Sequence, residues 1–270
     1  MPELPEIETI KNGISKIINC QINQVFQSNY RLRINSTLEL PRLQNCQILD
    51  IQRRARYLIM NLSSSYSLII HLGMSGRITL SNNFSKLKHD HFACQLSNQQ
   101  WLIYNDPRRF GFVDLVLTAN LPQHPMLRNL GVEPLSEDFN EKYLANSLKS
   151  KSLNIKTTIM DNKIVVGVGN IYANESLFDA RISPLRTAQS LSKSEITKLT
   201  KSIKKIIKNA IEMGGSSISD YQNAEGEFGS FQLHHQVYGR NQQKCFTCNN
   251  QIIRIVQNQR SSFFCDNCQK

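Results

Sequence analysis

The stretch CFTCNNQIIRIVQNQRSSFFCDNC, residues 245–268, sets two CxxC pairs sixteen residues apart, just before the last two residues of the chain. A four-thiolate tetrahedral zinc site takes its ligands in this pattern. Each pair forms a knuckle and the segment between folds back as a hairpin. Cys245, Cys248, Cys265 and Cys268 are the expected ligands of one structural zinc ion. Two disulfides are the competing reading, disfavoured in a reducing compartment. Between the knuckles IIRIV and SSFF have strand character and QNQR turn character, which places Arg260 near the tip of a hairpin. From Arg240 to Lys270 five basic residues face one acid, a local balance of +4. Such a hairpin suits phosphate or groove contact, and the alternative is a purely structural staple with a solvated surface.

Outward from this module, composition sets broad bounds. The 270 residues hold 32 Lys and Arg against 21 Asp and Glu, a net charge of +11 that favours a polyanionic partner. Charge alone leaves DNA, RNA and anionic lipid open. No apolar run approaches a membrane span, and the acidic start lacks the basic flank of a signal peptide, so a cytoplasmic protein without membrane attachment is expected. The remaining cysteines, Cys20, Cys46 and Cys94, have apolar neighbours and read as reduced core residues.

Residues from about 20 to 115 contain eight strand-like runs: QINQVFQ, CQILDIQ, RYLIMNL, SLIIHLG, GRITL, HFACQL, WLIYN and FVDLVL. Turn-rich pieces separate them, the pattern of an antiparallel sandwich. From about 135 the period becomes helical, and SEITKLTKSIKKIIKNAIEM places Ile196, Leu199, Ile203, Ile206 and Ile207 on one face with lysines opposite. In VVGVGNIYANESLF, Gly167 and Gly169 permit a tight turn and Asn170 is placed to cap the next helix, whose first amides could accept a phosphate. GGSSISDYQNAEGEFGSF, residues 214–231, is rich in Gly and Ser and reads as a loop leading into the cysteine module. His89 and His91 could share a strand face as a metal pair or serve ordinary polar roles.

The chain opens MPELPEIETI. Pro5, Glu6 and Glu8 suit a helix start, with Ile7, Ile10, Ile14 and Ile17 at helical spacing, but Pro2 and Glu3 lie before that helix and are left unexplained by it.

Together PELPEIET, HLGMSGR (71–77), NDPRRFG (105–111), LGVEPL (130–135), MDNKIVVGVGNIYANESLF (160–178), QVYGR (236–240) and the terminal cysteines resemble the bacterial formamidopyrimidine-DNA glycosylases, in order and over essentially the whole chain. The resemblance implies an α+β multidomain fold. An N-terminal helix and antiparallel β-sandwich would span 2–134, a helical domain with a helix-two-turns-helix and lesion loop 135–231, and a zinc-finger β-hairpin 236–270. It implies a monomeric, bifunctional glycosylase and lyase acting on double-stranded DNA that contains oxidised purines, in the bacterial cytoplasm at the nucleoid. Pro2, exposed by removal of Met1, would be the amine nucleophile and Glu3 the proton donor and acceptor, with Glu6 and Glu175 in support. Met74, Arg108 and Phe110 would fill the gap left by a flipped nucleotide. Arg56, His71, Asn170, Tyr238, Arg254 and Arg260 would grip the DNA backbone. Ser216, Ile218, Ser219, Asp220 and Tyr221 would wrap the extruded base. One departure stands out: the family's AKYL reads ARYL here, so that Arg56 brings a forked donor in place of a compact ammonium. Two rivals share these features: the sister enzyme for oxidised pyrimidines, whose start reads PEGPE, and a DNA-binding module without catalysis, which a retained Met1 would produce.

Overall fold

Alternating apolar and polar residues between positions 22 and 117 become eight antiparallel strands in the computed structural model, which describes residues 2–34, 39–216 and 229–270. These are β1 (Ile22–Gln27), β2 (Ile48–Arg54), β3 (Tyr57–Leu62), β4 (Tyr66–His71), β5 (Arg77–Ser81), β6 (Asp90–Leu96), β7 (Trp101–Asn105) and β8 (Phe112–Leu117). They form two four-stranded sheets, ordered β1-β6-β7-β5 and β2-β3-β4-β8. By its contacts the chain divides into two units, Met1–Arg128 with Gly214–Ser230, and Asn129–Met213 with Phe231–Lys270.

In the first unit the inward positions follow the strand period of two. Leu58, Met60 and Leu62 of β3, Leu68 and Ile70 of β4, and Phe92, Cys94 and Leu96 of β6 all enter one core. Helix α1 (Leu4–Ile14) adds Ile7, Ile10 and Ile14, with Ile17 following in a short 3-10 turn. Full burial of each such side chain contributes about 1.5–3 kcal/mol, so the isoleucine stripe docks α1 on the sandwich. Glu8 accepts the Arg53 guanidinium and ties the half-buried flank of α1 to β2. Cys46 and Cys94 are buried and Cys20 is half-buried against the same core, all three free thiols.

The second unit holds α2 (Glu141–Leu148), α3 (Ile155–Ile159), α4 (Asn170–Asp179), α5 (Lys193–Glu212) and the hairpin of β9 (Ile253–Gln257) and β10 (Arg260–Phe264). Side chains stop and start these helices. Asn140 and Asn154 accept the Tyr143 and Thr157 amides, and Ser192 with Glu195 forms a capping box at α5. Ile196, Leu199, Ile203, Ile206 and Ile207 are the buried face of α5, as its spacing requires. Helix α4 differs, since every residue from Ile171 to Phe178 is buried, polar ones included. Its N-cap is Gly169, not Asn170, which occupies the first helical position. The chain turns from β9 to β10 through Asn258 (φ 46°) and Gln259 (φ 61°), the left-handed pair of a tight hairpin turn. No helix among the described residues is long and apolar enough to cross a membrane.

Candidate active site and nucleic-acid interface

Helix α1 is preceded by Pro2 and by Glu3, its N-cap residue, and both are buried. Glu6, one turn on and 2% exposed, accepts the Glu3 amide on Oε2 at 2.7 Å. The other oxygen, Oε1, accepts the Ser216 amide at 2.7 Å. One carboxylate therefore fixes both the dipeptide ahead of α1 and the entry to the segment after Gly215. Ser216 is buried, while Ile218, Ser219, Asp220 and Tyr221 lie outside the described residues.

His71 ends β4 with its ring packed against those of Tyr57 (5.0 Å) and Phe112 (5.7 Å), which also meet each other at 6.1 Å. Burial, and then the nearby Arg33 and Arg56 guanidiniums, push its pKa down to about 4, so the ring is neutral at pH 7. Its Nδ1 accepts the Gly73 amide at 3.2 Å, which leaves the proton on Nε2 as a donor. Arg56 lies in the two-residue turn from β2 to β3, after Ala55 with φ 53°. The same unit carries the tips of two loops. Met74 and Phe110 are 46% and 45% exposed, high values for large apolar side chains, and the Arg108 guanidinium stacks 4.8 Å over the Phe110 ring.

In the second unit Glu175 is 1% exposed on α4 and accepts three successive backbone amides, from Gln236 (2.8 Å), Val237 (3.0 Å) and Tyr238 (2.8 Å). Burial raises its pKa, and the three amides pull in the opposite direction. Tyr238 is thereby held with its ring edge-on to Phe263 of β10 at 5.2 Å and to His235 at 5.5 Å. Asn174 accepts the Phe263 amide at 2.7 Å and donates to the Asn170 carbonyl at 2.6 Å, so the start of α4 and the hairpin are connected through one side chain. Asn170 is half-exposed there and its Oδ1 has no hydrogen-bond partner among the described residues. Buried Lys156 of α3 donates to the Ser261 carbonyl (2.8 Å) and the Ser262 hydroxyl (2.7 Å). Arg254 and Arg260 are exposed on the hairpin, Arg254 donating to Ser261 Oγ at 3.0 Å.

The four cysteines at the root of the hairpin bring their Sγ atoms within 4.8 Å of one another. Cys245 and Cys268 lie 3.9 Å apart and Cys248 and Cys265 3.4 Å apart. Four sulfurs each about 2.3 Å from a tetrahedral zinc lie about 3.8 Å from one another, so the set fits such an ion. The Thr247 amide points at Cys245 Sγ (3.4 Å), a donor suited to a thiolate. Among the described residues this is the one group of three or more His, Cys, Asp or Glu that could hold a metal. His91 bonds instead to Ser28 Oγ (2.9 Å) and the Asp106 carbonyl (3.0 Å).

Several residues at these places escaped the sequence reading. Arg33, Ser75, Tyr104, Asp106, Lys156 and Asn174 act through partners far away in the chain, which no local spacing reveals. For Asp106 a signal existed, the Asp-Pro pair of NDPRRFG, which marks a turn.

Three family models match the chain in succession: the formamidopyrimidine-DNA glycosylase N-terminal domain over residues 1–113, the H2TH domain of the same enzymes over 130–222, and a zinc finger found in FPG and IleRS over 242–270. That succession, on this fold, defines a DNA glycosylase. A formamidopyrimidine-DNA glycosylase of Wolbachia pipientis subsp. Culex pipiens is 47% identical over 273 residues, covering 100% of both chains. That of Rickettsia felis is 45% identical over 100% of this chain and 98% of its own. A variant of the Lactococcus lactis FPG, solved in complex with a Fapy-dG containing DNA, superposes with a TM-score of 0.92 at 34% identity over 100% of both chains. The chain belongs to the formamidopyrimidine-DNA glycosylase family.

Proposed function

We propose that this protein excises oxidised purines, 8-oxoguanine and formamidopyrimidines, from duplex DNA through an amine linkage formed by Pro2, and then nicks the strand. The observation that carries this reading is the buried Pro2-Glu3 pair, whose connecting geometry Glu6 holds through the Glu3 amide. With Met1 removed, Pro2 offers a secondary amine. An α-amino group titrates near about 8, so a neutral fraction with a free lone pair exists at pH 7. That lone pair attacks C1′ of the damaged nucleotide. The bond from C1′ to the base breaks with its electron pair on the base, which leaves with the proton that the newly bonded Pro2 nitrogen gives up, and the nitrogen regains its lone pair. Glu3 donates a proton to the ring oxygen as the sugar opens, and the nitrogen lone pair completes a cationic iminium. The iminium draws electrons from the neighbouring carbon, so loss of a C2′ proton expels the 3′ phosphate, and a second elimination expels the 5′ phosphate.

Around this chemistry Met74 and Phe110 would occupy the opened stack and Arg108 would hydrogen-bond the orphaned base. Their exposure and the Arg108–Phe110 stacking support that reading. Arg56, His71, Asn170, Tyr238, Arg254 and Arg260 would hold phosphates and carry no sequence information. His71 does so as a neutral donor through Nε2, consistent with the bond at Nδ1. Glu175 would act through Tyr238, whose backbone it orients. Ser216 would begin the wrap around the extruded base, continued by Ile218, Ser219, Asp220 and Tyr221. Cys245, Cys248, Cys265 and Cys268 would hold one zinc ion, which supplies a structural cross-link and no reaction step. The functional segments would be 2–134, 135–231 and 236–270, a division by role beside the two contact units.

Borohydride trapping on a duplex with 8-oxoguanine opposite cytosine tests the proposal, with mass mapping of the adduct and an oxidised-pyrimidine duplex alongside. An adduct on Pro2, formed in preference on the purine lesion, is expected. Preference for the pyrimidine would transfer the chain to the sister activity. Absence of any adduct, from protein shown to lack Met1, would leave a binding module.

A further inference from the structure

Asp106 is fully buried just past the end of β7, and its carboxylate accepts donors from three places. Oδ1 accepts the Ser75 hydroxyl at 2.6 Å, and Oδ2 accepts the Gly111 amide at 2.9 Å and the Tyr104 hydroxyl at 3.1 Å. Ser75 in turn accepts the Arg108 amide at 3.1 Å. The loop carrying Met74 and the loop carrying Arg108 and Phe110 therefore share one small polar hub. Their backbones also touch. A Cβ on Gly73 would stand 2.4 Å from the Gly111 nitrogen and 2.5 Å from the Phe110 carbonyl carbon, and Gly73 has φ +60°. The Asp106 carbonyl closes the turn by accepting the Arg109 amide (3.2 Å), and Arg109 then reverses the chain at φ 57°. The loop bases are thus locked while the three tips project outward.

We propose that Asp106 and Ser75 are positioning residues that join the two loops, so that Met74, Arg108 and Phe110 enter an opened base stack as one body. The inference rests on the gap-filling reading of those three side chains given above. Its physical basis is preorganisation. Ordering a free side chain on binding costs conformational entropy, and a wedge already held in place avoids most of that cost. A buried carboxylate suits the task because bonds to a charged acceptor are stronger than neutral ones, and because breaking one leaves the charge partly unpaired.

The test uses the full metal-loaded chain and two substrates in the same duplex context. Single-turnover excision of 8-oxoguanine requires extrusion of the base. Strand cleavage at a preformed abasic site requires none. Ser75→Ala is expected to slow excision roughly tenfold, the size of one lost bond to a charged group, and to leave abasic cleavage within about twofold. Ser75→Thr, which keeps the hydroxyl, should recover excision. Asp106→Asn should follow Ser75→Ala with a larger loss. Proportional loss on both substrates, or full excision by Ser75→Ala, overturns the proposal. Phe110→Ala and Met74→Ala separate the two levels. If they also leave excision intact, the gap-filling reading has failed. If they slow it while Ser75→Ala does not, only the coupling has failed.

Discussion

Glu6 and Ser216 are joined by a 2.7 Å hydrogen bond, the Ser216 amide donating to a carboxylate whose other oxygen holds the Glu3 amide. The head of α1 and residues 214–216 are therefore one structural piece, although 210 positions separate Glu6 from Ser216. A Cβ added at Gly215 would meet the Glu6 carboxylate at 2.7 Å, whereas at Gly214 the nearest contact is 3.5 Å. Both glycines have φ above +70°, so each substitution carries backbone strain of about 1 kcal/mol or more. Gly214→Ala and Gly215→Ala should both lower thermal stability, Gly215→Ala the more, and only Gly215→Ala should also slow single-turnover excision more than fivefold. Equal kinetics in the two variants would mean that the Glu6 contact has no bearing on the reaction.

Glu175 gives a second prediction. Its carboxylate faces three N–H groups, and an amide in its place would turn an NH2 toward one or more of them. Glu175→Gln is expected to lose about 2–3 kcal/mol of stability, on the scale of bonds to a charged group. Because Tyr238 is oriented through one of these bonds, duplex affinity should fall as well. Chemical denaturation and a binding titration at fixed salt measure the two, and an unchanged affinity would detach Tyr238 from the grip on DNA.

The buried imidazoles set an acid limit. Burial is the leading cause that lowers both His71 and His235 to about 4, against the usual 6.5. A folded pKa below the unfolded one means that the unfolded chain binds more protons between these values. Stability from this source is complete above pH 6.5 and declines as pH falls toward 4. The urea midpoint should therefore drop between pH 7 and pH 5, and His235→Phe should flatten part of that slope. An unaltered slope in the variant would place the acid sensitivity elsewhere.

Loss of metal should travel beyond the cysteines. Cys245 and Cys265 share a hydrophobic cluster with Phe178, Val237, Ile252 and Phe263, so an unclamped hairpin loosens the packing around Tyr238 as well. Cys248→Ser should lose zinc by elemental analysis, raise hydrogen exchange over residues 253–264 and weaken duplex binding together. Tight binding by a zinc-free protein would show that the hairpin is not the gripping element.

Much of this was readable before any coordinates. All eight strand-like runs fall within two residues of the strands observed, because a buried face at period two leaves its mark in each run separately. The α5 stripe and the CxxC spacing were legible for the same reason, each being written in neighbouring residues. Asn170 was misplaced by one position: Gly169 caps α4 through its extended backbone, and a cap made without a side chain has no residue signature. Glu175 was singled out only through the family resemblance, since burial on all sides of α4 removes the amphipathic contrast that would have set it apart.

By itself, then, the sequence determined the strands of the first unit, the α1 and α5 stripes, the four-cysteine set and, through ordered motifs, the family. The tertiary structure alone decided which carboxylates became hubs. Glu6 reaches Ser216, Glu175 reaches residues 236–238, and Asp106 reaches Ser75 and Gly111. The physical reason is that a buried charge must collect its donors from whatever backbone the fold brings within about 3 Å. Those partners are chosen by the packing of distant segments, and nothing in the local order of residues specifies them.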